Sequence, residues 1–195
     1  MQLGEDTITM SMTLNPVNEA AFQKAVQSLE TLNRAAVFHP TGTGKSCIAW
    51  KVVEAHPQTT FFWLVAGAQR LALRQAELAR YNGGTLPGNV RFCDCEKLAA
   101  ATPEQWVRLG EQKPGCIVLD CYHELSAVCW AQSVQKLLRM CPQAKVLGLG
   151  VPNGAPVCAA AQELFADCIV SHMTVAEAMA AGTMPVPSAY AALLW

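Results

Sequence analysis

The stretch from Arg34 to Glu54 restricts the possible folds of this chain more than any other. Arg34-Ala35-Ala36-Val37-Phe38 reads as a short buried strand, His39-Pro40-Thr41-Gly42-Thr43-Gly44-Lys45-Ser46 as a Gly-rich turn, and Cys47-Ile48-Ala49-Trp50-Lys51-Val52-Val53-Glu54 has helical spacing. That order turns backbone N–H groups and a helix N-terminus toward a polyphosphate. Gly42 and Gly44 let the backbone close on phosphates with no Cβ in the way. In such a loop Lys45 reaches the β- and γ-phosphates and the Ser46 hydroxyl ligates Mg²⁺. Pro40, Thr41 and Thr43 complete the expected nucleotide-binding set. The strict pattern G-x-x-x-x-G-K-[ST] is not met, because His39 holds its first position. The core T-G-x-G-K-S after a strand remains.

The rest of the chain repeats the alternation. Asn18 is read as the N-cap of a helix through Leu32, with Ala21, Phe22, Ala25, Val26 and Leu29 on one face. Strands are expected at 59–65, 90–93, 116–120, 145–149 and 168–170, and helices at 68–81, 103–109, 127–140, 157–165 and 174–181. Apolar strands alternating with helices imply an α/β fold, a parallel sheet sandwiched by helices. Ligands of such sheets bind at the carboxyl ends of the strands, where both the loop and Asp120 lie. Residues 1–17 read as a flexible N-terminal arm, 18–187 as a single lobe, and 188–195 as a C-terminal tail.

Composition narrows the setting. The 195 residues carry a net charge of −1, so no global basic field points to nucleic acid or membrane. Only 15% are charged and 52% hydrophobic, against averages of about 25% and 45–50%. After Lys145 no Lys or Arg occurs, which favours a domain that hides a face against a partner over a merely Ala-rich globule. The nine cysteines are odd in number, form no C-x-x-C and fall within apolar runs, as reduced cysteines of a cytoplasmic protein do. Cys93-x-Cys95 with His123 matches no common zinc spacing. Met1 to Met12 is polar and lacks the pattern of a signal peptide.

A second acidic motif follows the apolar run Ile117-Val118-Leu119. Asp120 is placed to hold Mg²⁺ together with Ser46, unless it only caps the next turn. A second carboxylate would position water, but the next residue is Cys121, and Glu124 would leave the turn in another direction.

These residues resemble the N-terminal RecA-like lobe of a superfamily-2 helicase, in the branch of DEAD/DEAH-box proteins and type III restriction subunits. His39–Ser46 resembles motif I, and Asp120-Cys121-Tyr122-His123 resembles motif II with Cys for Glu. Phe22-Gln23 stands where an aromatic and a Gln contact adenine. Ala66-Gly67-Ala68 replaces the Pro-Thr pair of motif Ia, and Leu149-Gly150-Val151-Pro152-Asn153 stands at motif III without its hydroxyls. Met173–Ala178, with Gly182 and Pro185, resembles the segment that leads out of the lobe. The resemblance covers 18–187 and implies a P-loop NTPase fold, ATP and Mg²⁺ as cofactors, and Lys45 and Asp120 as catalytic residues.

The same resemblance implies impaired catalysis. Motif III couples hydrolysis to nucleic acid, and the second lobe supplies arginine fingers whose loss costs ~10³–10⁵ in rate. Arg70, Arg74 and Arg80 on the helix at 68–81 are either weak nucleic-acid contacts or an ordinary solvated face. The leading expectation is therefore an ATP-binding helicase-type lobe that hydrolyses poorly alone, completed by a second lobe or by a homo-oligomer. The alternative is a non-enzymatic interaction or self-associating protein that retains the fold.

Overall fold

A computed structural model describes residues 12–120, 122, 127–152 and 159–185. The arm over 1–11, the tail over 188–195, and Cys121, His123, Glu124 and Asn153 lie outside the described residues.

The chain opens with helix α1 (Pro16–Thr31) and strand β1 (Arg34–Phe38), followed by α2 (Lys45–Ala55) and β2 (Phe61–Val65). Then come α3 (Ala68–Tyr81), β3 (Val90–Asp94), α4 (Cys95–Ala99), α5 (Pro103–Glu111) and β4 (Cys116–Asp120). Helix α6 (Ala127–Cys129) runs through a π-helical turn (Trp130–Val134) into α7 (Gln135–Met140), and β5 (Lys145–Gly150) follows. The last described elements are α8 (Ala159–Phe165), β6 (Ile169–His172) and α9 (Val175–Ala180). The six strands form one sheet in the order β3-β2-β4-β5-β1-β6, and all recorded pairings are parallel.

Alternation along each strand divides the core in two. Ala35 and Val37 of β1, Phe61, Trp63 and Val65 of β2, and Cys116 and Val118 of β4 pack with α1, α2 and Leu78 of α3. Ala36, Phe62, Leu64, Ile117 and Leu119 face the other way, onto Trp106 of α5, Trp130, Leu137 of α7 and Phe165 of α8. Both sheet faces are covered, so the strands read as continuous apolar runs rather than as alternating ones. Gly148 of β5 is needed where Phe165 lies on the sheet, because a Cβ there would stand 2.6 Å from the ring's Cζ.

Three local features depart from the sequence expectation. The N-cap of α1 is Asn15, whose side chain accepts from the Asn18 N–H, and Pro16 occupies the first turn. Proline suits that position because its missing N–H has no intrahelical acceptor anyway. Asn18 is therefore inside the helix and buried. The short α4 was not expected; the Asp94 side chain, accepting from the Glu96 N–H, starts it. The π-helical turn interrupts the expected helix over 127–140, and Ser133 Oγ within it donates to the Cys95 carbonyl at 2.6 Å.

Candidate phosphate-binding site

The parallel register sets the site. β1 runs into the loop 39–44 and α2 leaves from it, so the loop crosses the carboxyl end of the sheet. Gly42 and Gly44 both sit at φ +87°, a left-handed conformation that glycine adopts without the Cβ penalty. Gly44 is the N-cap of α2 and caps it with no side chain, leaving the first turn of N–H groups directed at the loop.

The loop is tied down from both sides. Lys45 Nζ donates to the carbonyls of His39 at 2.8 Å and Pro40 at 2.9 Å, so the lysine folds back over the loop and is only 7% exposed. Thr43 Oγ1 donates to the Pro40 carbonyl at 2.8 Å, and Asn18 Nδ2 of α1 donates to the Thr43 carbonyl at 2.8 Å. Among the described residues Asn18 Oδ1 has no hydrogen-bond partner. His39 is fully buried, with Nε2 2.8 Å from Ser171 Oγ of β6 and Nδ1 without a hydrogen-bond partner among the described residues. Burial above all, then the charges of Lys45 and His172, lower its pKa to about 4, so His39 is neutral at neutral pH.

Asp120 stands at the end of β4, two residues past Val118 and so on the same sheet face as Trp63, the partner of Val118 in the register. Its side chain is 2% exposed. One oxygen, Oδ2, accepts from the Trp63 indole N–H at 3.0 Å and from Arg74 Nε at 2.5 Å. Arg74 Nη1 is in turn paired with Glu77, one turn further along α3. A cavity of about 300 Å³ lies here, lined by Thr41 of the loop together with Arg70, Leu73, Arg74, Glu77 and Asp120. A larger hollow of about 370 Å³ lies beside Arg34, at the opposite end of β1 from the loop, and is lined by Cys141 and Cys168.

The structure thus brings Pro40, Thr41, Gly42, Thr43, Gly44, Lys45 and Ser46 together, with Asp120 on the same cavity as Thr41. Ser46 is half-buried in the first turn of α2. Phe22 packs half-buried against the core, and exposed Gln23 donates to Glu19 on its own helix at 2.8 Å. Arg80 is exposed at the far end of α3, away from the Arg70 and Arg74 cavity. Sequence reasoning missed Asn18 as a loop support, Trp63 as a donor, and the pairing of Arg74 with Asp120. The four-residue spacing of Arg70 and Arg74 was a signal that both share one face.

The loop fits a chain of phosphates: it offers left-handed glycines, a helix N-terminus and a lysine. The metal position fits less well. A divalent cation needs carboxylate lone pairs, and Asp120 Oδ2 already takes two N–H donors, one of them a guanidinium. A cation here would have to share the Asp120 carboxylate with the Arg74 guanidinium. Among the described residues no group of three or more His, Cys, Asp or Glu could hold a metal ion, and no helix is long and apolar enough to cross a membrane.

No family model matches this chain, and no curated protein matches it. Among solved structures it is similar to the crystal structure of domain III from the Thermotoga maritima replication initiation protein DnaA. That likeness has a TM-score of 0.51 at 10% identity, over 89% of this chain and 69% of that one. It supports a P-loop NTPase-like α/β fold, and it does not extend to the superfamily-2 helicase assignment.

Proposed function

We propose that this chain binds a nucleoside triphosphate, ATP in the first instance, through the loop His39–Ser46. The observation that carries the reading is the loop itself: Gly42 and Gly44 in the left-handed region, the uncapped N-terminus of α2, and Lys45 folded back over the loop. Backbone N–H groups and one lysine are what a polyphosphate requires. The DnaA domain III likeness agrees with the P-loop NTPase-like α/β fold on which the reading rests.

The test is a titration of ATP into the full chain, with Lys45→Ala beside it. The expected result is saturable binding that the variant loses. Lys45 also braces the His39 and Pro40 carbonyls, so the melting temperature of the variant is measured in parallel. Absence of binding at millimolar nucleotide sinks the reading.

A narrower reading is a helicase-type ATPase lobe. It draws support from Asp120 at the carboxyl end of β4, on the same cavity as Thr41, and from the sequence resemblance around both. ATP turnover raised by added single-stranded DNA or RNA would support it, and turnover indifferent to both would remove it.

A further inference from the structure

We propose that Arg74 takes, at Asp120, the place a divalent cation would occupy, so that the site accepts its polyphosphate ligand free of metal. This rests on the nucleotide-binding reading above and specifies the form of the ligand.

Asp120 is nearly sealed, and one of its two oxygens, Oδ2, takes two nitrogen donors, a guanidinium among them. Neither donor is there by chance of rotamer. Trp63 is wholly buried on β2, and the β2–β4 register sets it beside Val118, on the face that Asp120 shares. Arg74 is held at its other end by Glu77, three residues along the helix. Hydrogen bonds between ionised groups of this kind are short and strong.

A metal arriving at Asp120 would either displace the guanidinium or share the carboxylate with it. In both cases it would sit beside that positive charge, in a site where burial weakens solvent screening. The cation already present does the same electrostatic work. Arg74, Arg70 and Thr41 of the loop line one cavity, so a phosphate chain reaching from the loop meets fixed positive charge where metal charge would otherwise be needed. Lys45 supplies the charge on the loop side. Asp120 then acts as a positioning residue for Arg74 rather than as a metal ligand.

The experiment uses the full chain in two arms. In the first, a fluorescent ATP analogue is titrated in excess magnesium and in excess EDTA. The wild-type affinity is expected to differ by less than about threefold between the two conditions, whereas Arg74→Gln should lose about tenfold or more in EDTA. A wild-type loss of about tenfold or more on chelation overturns the proposal, and that result needs no variant to fold.

In the second arm Mn²⁺ alone is added and followed by electron paramagnetic resonance, without nucleotide. The wild type is expected to show no tight site, and Arg74→Gln to gain one that Asp120→Asn in the same chain removes. Tight Mn²⁺ binding by the wild type that Asp120→Asn abolishes overturns the proposal. If ATP fails to bind under every condition, the nucleotide reading falls, while the Mn²⁺ arm still decides whether Arg74 holds the metal position.

Discussion

Asn18 Nδ2 lies 2.9 Å from the point a Cβ on Gly44 would occupy, so the first helix and the phosphate loop are fitted to each other at one glycine. The same Nδ2 donates to the Thr43 carbonyl, which ties that fit to the loop's backbone.

Gly44→Ala should therefore lose stability twice, through the left-handed φ and through the displaced amide. The sum is about 2–4 kcal/mol. Asn18→Ala should cost about 1–3 kcal/mol by leaving the buried carbonyl unpaired. In the double variant the losses should fall short of additive, because both single changes break the same contact. Urea unfolding of the four proteins measures this, and strict additivity would show that the two residues do not meet.

Acid should loosen the loop through His39. Its pKa is lowered in the folded protein, from 6.5 to about 4, chiefly by burial. The unfolded chain binds the proton first, so the stability held by neutral His39 is complete above about pH 6.5 and drains away as the pH falls toward 4. The loss should be on the order of 2 kcal/mol once solvent screening is allowed for. Melting temperatures across that range, compared with His39→Gln, isolate it. A variant that keeps the full acid limb would assign the loss to other groups.

Gly148→Ala tests the second core. The added Cβ would meet three atoms of the Phe165 ring at 2.6–3.0 Å. The ring is hemmed in by Tyr122, whose centroid is 5.1 Å away, and it has little room to retreat. The expected cost is about 1–3 kcal/mol, partly recovered by Phe165→Leu in the same chain. Thermal unfolding reads it, and a Gly148→Ala variant as stable as the parent would mean that the ring moves freely.

Much of the scaffold was readable because burial on both faces writes itself into composition. The limits of β4 and α3 came straight from an unbroken apolar run and from periodicity ended by Asn82-Gly83-Gly84. Boundaries set by single hydrogen bonds were harder. Asn15 and Asn18 are the same residue type three positions apart, and the proline between them decided which one caps α1. Five-residue α4 is too short to show a period, and a π-helical turn leaves no mark in apolar spacing. The loop was legible because its chemistry is local. The capture of Asp120 was not, because Trp63, Arg74 and Asp120 meet only after β2 and β4 pair, 57 and 46 residues of sequence separating the acid from its donors.

The strand order has a consequence of its own. β5 lies between β1, which feeds the loop, and β4, which ends in Asp120. Two inter-strand steps therefore separate those chain ends, roughly 10 Å at the usual spacing of paired strands. Hydrogen-bond geometry maintains that span, so no exchange of side chains can shorten it. Thr41 of the loop nonetheless lines one cavity with Asp120, so it is the loop, crossing the end of β5, that closes the span between the two strands.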